Sequence, residues 1–263
     1  MSVHVDIKNH IATVTLDRPP VNALSVDAME AITRAFNEIS RSREAHVAVL
    51  AAAGDKVFCA GADFKDSERR YSSTESNDDV SPVDLLDKGR VVRECFNAIH
   101  HAELPVIASV HGAALGSGLG MVAASDIIIA SERATFGLPE INVGVMGGGR
   151  YLQRMVGVYK MRTMFFTGRP ISADEMYRMG AVERVVKHED LADATAELAE
   201  ELASKSPTAL RLGKQSLNRA ESLSVEEGYR VEQEYTARAT SFKDSKEARD
   251  SFREKRTPTW TWN

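Results

Sequence analysis

Three short apolar runs, residues 47–50 (VAVL), 106–110 (VIASV) and 127–130 (IIIA), each follow a stretch of helical character, and this alternation constrains the fold more than any other feature of the chain. From Ser25, whose hydroxyl suits a helix N-cap, Met29, Ile32, Phe36 and Ile39 recur three or four residues apart and predict an amphipathic helix. Val91, Val92, Cys95, Phe96 and Ile99 mark a second apolar helical face, ended before Pro105. Strands that alternate with helices imply mainly parallel sheets with helices outside them. At the N-terminus, residues 3–7 and 11–16 read as two strands joined by a turn at Lys8, Asn9 and His10, and Arg18-Pro19-Pro20 stops the second. No fixed-period sequence repeat is present.

A chain of 263 residues buries a sizeable core and is long for one domain, so one main domain with a smaller appendage is expected. The net charge of -5 argues against nucleic acid or a membrane surface as a general partner. Two cysteines, Cys59 and Cys95, make no disulfide framework and fit a reducing compartment. The first residues, MSVHVDIKNHIATVTL, alternate polar and apolar positions and do not read as a signal peptide. No apolar run approaches the roughly 18–20 residues that span a bilayer, and a cytoplasmic location is expected. The polar, turn-rich stretch 66–83 reads as a surface loop or a substrate-shaping lid. Beyond Leu191 the chain becomes charged, Ala-rich helix, broken at Pro207.

Three glycine-rich segments, CAGAD from Cys59 to Asp63, GAALGSGLG from Gly112 to Gly120 and GVMGGG from Gly144 to Gly149, could bind an anion through backbone N–H groups. Spacing tests other glycine motifs. A dinucleotide fingerprint starting at Gly116 would need its third glycine where Met121 stands. A nucleophile elbow on Ser117 would need glycines at Leu115 and Leu119. No phosphate-binding loop of the G-x-x-x-x-G-K-S/T type occurs.

In order and spacing, VFCAGADFK, HGAALGSGLG, an aspartate about six residues further on and TFGLPEINVG resemble the crotonase (enoyl-CoA hydratase/isomerase) superfamily. The similarity extends weakly over nearly the whole chain. It implies an α/β fold, a spiral of ββα units over residues 1–195, and a C-terminal helical trimerisation segment over 196–263. It also implies a homotrimer or a dimer of trimers acting on an acyl-CoA thioester. Coenzyme A is then part of the substrate, and no further cofactor or metal is expected.

In that family two backbone amides hold the thioester oxygen, and by position these are the amides of Ala62 and Ser117, the second often belonging to a glycine in relatives. The purpose is to stabilise an enolate, and one such donor is typically worth about 3–4 kcal/mol in barrier. The resemblance also places substrate along Val21, Ala60, Asp63, Phe64, Lys65 and Gly116, with Lys255 reaching the CoA phosphates. Asp63 and Lys65 could equally cap and solvate a helix start, and Lys255 lies in the charged run REKR. Glu140, in LPEIN, matches the family's acid/base; its plainer roles are an N-cap carboxylate or half of a structural ion pair. As an acid/base its pKa should be raised by apolar surroundings.

Gly120 is the main departure from the family, because hydratases carry a second glutamate there. One carboxylate suffices to shuttle a proton between two carbons, so isomerase-like chemistry or an atypical hydratase or lyase is expected. A hydrolase of the same fold, or an inactive acyl-CoA-binding protein, is the alternative. Arg150 could pair with a substrate carboxylate, with Glu140, or with solvent. His111 is expected to bond the local backbone, and His100 and His101 to meet the negative pole of a helix. Cys59 reads as a small buried residue, and Trp260 and Trp262 as a subunit contact or an ordered tail.

Overall fold

The computed structural model describes residues 2–63, 65–66, 87 and 89–262, so Phe64 and residues 67–83 of the expected loop lie outside the described residues. The first hairpin pairs β1 (Val3–Lys8) with β2 (Ile11–Leu16). Strand β1 runs one residue further than expected, and Asn9 and His10 alone make the turn, with φ of 50° and 65°. Two left-handed residues match the twist of a two-residue hairpin.

Two sheets then advance together. Helix α1 (Val26–Arg41) leads to β3 (Val47–Ala52) and β4 (Val57–Cys59). Helix α2 (Arg90–His100) leads to β5 (Val106–Val110) and β6 (Ala113–Leu115). Helix α3 (Ser117–Ala124) leads to β7 (Ile127–Ser131) and β8 (Thr135–Gly137). The first strand of each pair joins a six-stranded sheet, ordered β1-β2-β3-β5-β7 and closed by β10 (Arg184–Val186). The second joins a four-stranded sheet, β4-β6-β8, closed by β9 (Ile171–Ser172). Pairing is parallel from β2 to β10 and from β4 to β8, and antiparallel at β1-β2 and β8-β9. One strand to each sheet per turn, with a helix between turns, is the ββα spiral expected from the resemblance.

Burial on both faces explains the uninterrupted apolar runs. Ala48, Leu50, Val106, Ala108, Val110, Ile128 and Ala130 face the main core. Their neighbours Val47, Val49, Ile107 and Ile129 face the other way, against Leu191, Ala194 and Ala199 of α7 (Leu191–Ala203). Residues 195 and 196, where the two expected segments meet, therefore lie inside one helix seated on the sheet. In α1 the Ser25 hydroxyl accepts the Ala28 amide, and Met29, Ile32, Phe36 and Ile39 are buried as their spacing predicts. Each such side chain contributes roughly 1.5–3 kcal/mol through burial.

Polar side chains fix α8 (Pro207–Ala220) to the core. Arg211 donates to the carbonyls of Ser40, Ser42 and Ala45, at 2.5, 2.8 and 3.3 Å. The Lys214 ammonium donates to Ile99 O, Leu104 O and Asp126 Oδ2 at 3.3, 3.1 and 2.7 Å, and the Asn218 amide to His100 O at 2.7 Å. These donors meet the carbonyl ends of α1 and α2, where helices leave acceptors unpaired.

The chain continues through α9 (Val225–Thr240) and α10 (Lys243–Glu254), and its tail folds back on the same chain. Buried Asp244 accepts the amides of Thr261 and Trp262 at 2.8 and 3.0 Å, Trp262 lies edge-on to His46, and Trp260 donates to Ser204 O at 3.1 Å. The two tryptophans thus form an ordered tail. His100 departs from expectation: burial lowers its pKa to about 4, so at neutral pH it carries no charge with which to meet the helix pole. No helix among the described residues is long and apolar enough to cross a membrane.

Candidate active site

Glycines bring the two main-chain segments of the site together. Gly61 has φ of +104°, a conformation that a residue with a Cβ rarely adopts. Leu24 holds its flanks, donating its amide to Gly61 O and accepting that of Asp63, at 2.8 and 2.9 Å. A Cβ on Gly61 would stand 3.2 Å from Leu115 O, 3.6 Å from Gly116 Cα and 3.7 Å from Ser117 N, so the two segments touch backbone to backbone. Gly118 continues the contact, since a Cβ there would stand 2.6 Å from Cys59 O. Cys59 is wholly buried, and burial pushes its thiol pKa up to about 12, which leaves it a small protonated core residue.

Two donors are left over by this arrangement. Ser117 opens α3, and the first amides of a helix have no partner within it. Ala62 makes a single bridge to Leu24 through its neighbours' groups. Among the described residues neither the Ala62 nor the Ser117 amide donates to an acceptor. Both residues line a cavity of about 470 Å³ together with Ala60, Gly116 and Glu140.

Glu140 enters that cavity from the 3₁₀ turn Pro139–Val143, which follows β8. Its Oε1 lies 2.5 Å from where a Gly116 Cβ would be, so a side chain at 116 would collide with the carboxyl. Its Oε2 is buried with no hydrogen-bond partner. Burial raises the carboxyl pKa, opposed in part by the residue's own amide. Leu138, not Glu140, holds the N-cap position of the turn, and among the described residues Glu140 makes no ion pair. The geometry leaves its carboxyl free to exchange a proton with something held in the cavity.

Phe96 occupies the space beside Gly120. A Cβ on Gly120 would overlap the Phe96 ring, which packs edge-on against Tyr151 at 5.0 Å and with Val92 forms an apolar wall of the cavity. The position at which the resemblance implies a second carboxylate is thus covered by an aromatic side chain. Sequence periodicity had placed Phe96 on a core-facing helix stripe, and that stripe continues without a break into the cavity. Asn142, Val143, Val145 and Met146 also line it and had no signal in the sequence beyond their proximity to Glu140.

Of the other expected substrate-binding residues, Val21, Asp63, Lys65 and Lys255 stand outside this lining. Val21 accepts the Ala60 amide through its carbonyl at 3.0 Å. Asp63 accepts from Arg18 at 2.8 Å and from the Asp66 amide at 3.3 Å, and the Arg18 bond holds its pKa down. Lys65 is exposed at a helix start. Lys255 is exposed at the end of α10, with φ of 54°. Arg150 is not at Glu140; it lines a neighbouring cavity. His111 is buried with its Nε2 unpartnered, and the Val57 backbone is its hydrogen-bonding neighbour. Among the described residues no three His, Cys, Asp or Glu side chains cluster as metal ligands.

Comparison with known proteins matches this geometry to a family. The family model described as enoyl-CoA hydratase/isomerase matches residues 6–263. The chain is 34% identical to a (7aS)-7a-methyl-1,5-dioxo-2,3,5,6,7,7a-hexahydro-1H-indene-carboxyl-CoA hydrolase of Rhodococcus jostii, over 92% of this chain and 90% of that protein. It is 32% identical to a short-chain-enoyl-CoA hydratase of Clostridium acetobutylicum, over 97% and 95% of the two chains. Its structure superposes on a crystal structure of an enoyl-CoA hydratase from Bacillus anthracis with a TM-score of 0.90, at 30% identity and full coverage of both chains. With paired sheets, two converging free amides and this match over nearly its whole length, the chain belongs to the enoyl-CoA hydratase/isomerase family.

Proposed function

We propose that the amides of Ala62 and Ser117 receive the thioester oxygen of an acyl-CoA, and that Glu140 moves a proton at the acyl chain beside it. The observation that carries this is the convergence, in one cavity, of two unpaired donors and one buried carboxyl oxygen without a donor. Negative charge that develops on the oxygen of an enolate is met by donors already in place. Burial raises the Glu140 pKa, which makes its carboxylate a stronger base for taking up that proton than an ordinary surface carboxylate. With Phe96 over Gly120, one carboxylate does the proton work, which fits a shift of a double bond or an addition that uses Glu140 alone. Nothing beyond the CoA of the substrate is needed for this chemistry.

A second reading is thioester-side or ring hydrolysis, favoured by the 34% identity to a CoA hydrolase. There Glu140 would deprotonate a water, while the same amides hold the oxyanion. A panel of linear, cyclic and aromatic acyl-CoAs separates the readings. Loss or shift of enoyl absorbance without free thiol indicates isomerisation or hydration, while thiol release or a mass gain of one water on a saturated ring indicates hydrolysis. Full activity of Glu140→Gln on the best substrate would sink both.

The assembly proposed is a trimer or dimer of trimers in the cytoplasm. Support comes from exposed apolar side chains, among them Val143, Met146, Phe166, Leu217, Val225 and Phe252, and from two reduced, buried cysteines. Sedimentation equilibrium giving a monomer at micromolar concentration would refute it.

A further inference from the structure

We propose that a second chamber beside the catalytic cavity, carrying Arg150 and Arg162, binds an anionic terminus of the acyl group, so that the substrate class is an acyl-CoA ending in a carboxylate. This rests on the acyl-CoA reading above and specifies its substrate.

The chamber is about 520 Å³ and lies between α4 (Gly149–Met155) and α5 (Val158–Thr167). Its walls are apolar, from Met161, Phe165 and Phe166, and its polar side chains are Arg150, Arg162 and Gln153. Met146, Gly147 and Gly148 line both this chamber and the cavity that holds Glu140. Two of these three shared residues have no side chain. Gly147 has open space where its Cβ would point, so a chain held at the oxyanion amides can pass beside it.

Both arginines are exposed to solvent. Among the described residues Arg150 and Arg162 make no hydrogen bond and no ion pair, although fourteen Arg or Lys side chains elsewhere take part in the ion pairs described. Glu221 feels Arg150 through space, but its bonded partner is Arg154. Two guanidinium groups with free forks against an aromatic and thioether wall suit a carboxylate on an apolar stem, because the fork matches its two oxygens and the wall covers the stem.

The test compares two enoyl-CoA thioesters of equal chain length, one ending in a carboxylate and one in a methyl group, with wild type and Arg150→Gln/Arg162→Gln. Wild type should prefer the carboxylate by roughly 10- to 100-fold in kcat/KM, the scale of charge-assisted hydrogen bonds. The double variant should lose that preference and keep its kcat/KM for the methyl-ended thioester within about twofold, which also shows that it is folded. Absence of a preference in wild type overturns the proposal. So does an equal loss for both thioesters together with weaker binding of desulfo-CoA, since the arginines would then be holding CoA phosphates. Failure of the acyl-CoA reading is distinct: no thioester, and no desulfo-CoA, would bind at all.

Discussion

Lys214 and Glu140 are both carried into apolar surroundings, but the protein answers the first with three acceptors and leaves the inner oxygen of the second without a donor. Burial pulls the Lys214 pKa down, and Asp126, which also accepts the Val106 amide at 2.7 Å, opposes it. Burial pushes the Glu140 pKa up, and its inner oxygen has no donor. A buried polar group costs free energy unless it is paired, so a pairing as complete as that of Lys214 belongs to folding. A buried carboxyl oxygen without a donor, such as Oε2 of Glu140, is the arrangement that marks a candidate functional group and not a structural one.

The largest effect expected from this contrast is on rate. Glu140→Gln should lower kcat by about 10²–10⁴, the usual scale of general acid–base catalysis, while thioester binding measured by calorimetry is retained. Unchanged kcat would erase the distinction between the two sites. Next, Lys214→Ala should cost about 1–3 kcal/mol in urea unfolding, because the carbonyls of Ile99 and Leu104 and the Asp126 carboxylate lose a shared buried donor. A loss below about 1 kcal/mol would mean the clasp is ornamental and solvent replaces it.

A change of similar size is expected at the absent second carboxylate. Gly120→Glu alone should lose about 1–3 kcal/mol by overpacking against Phe96 and should not speed crotonyl-CoA hydration. Combined with Phe96→Ala it gains space for the carboxyl, and hydration should exceed that of the single variant. Faster hydration by Gly120→Glu alone would show that the ring yields freely.

The smallest effect is a pH signature in stability. A carboxyl whose folded pKa lies above its unfolded value holds its proton longer in the native state, so stability falls as pH rises between the two values. Thermal unfolding of the wild type should show this decline above the ordinary carboxylate range, and Glu140→Gln should lack it and be slightly more stable at neutral pH. A steeper decline in the variant would contradict the raised pKa.

Much of this contrast was legible in the chain, though unevenly. Regular spacing exposed α1 through Met29, Ile32, Phe36 and Ile39, and continuous apolar runs exposed the strands buried on both faces. The glycine segments with Glu140 pointed to the cavity because their positions relative to one another are set within about eighty residues of chain. Lys214 escaped notice: in ALRLGKQSLNRA it looks like a solvated helix residue, and its partner Asp126 lies 88 positions away. Periodicity puts Phe96 on the apolar face of α2 but not over Gly120, since only the packing of α2 on α3 brings its ring there. Helix α7 continues through residues 195 and 196 because its apolar face is claimed by the sheet, a long-range contact that the change in composition does not register.

The close seat of α3 on β4, with no room for a Cβ at Gly118, has a consequence for how such a site can vary. The distance between the Ala62 and Ser117 amides is held by main chain pressed on main chain, so the proposed reaction, in which charge develops between them, would need little reorganisation. Side chains around them are then at liberty to change, and the chain can exchange one acyl group for another without rebuilding the electrostatics on which the reaction depends.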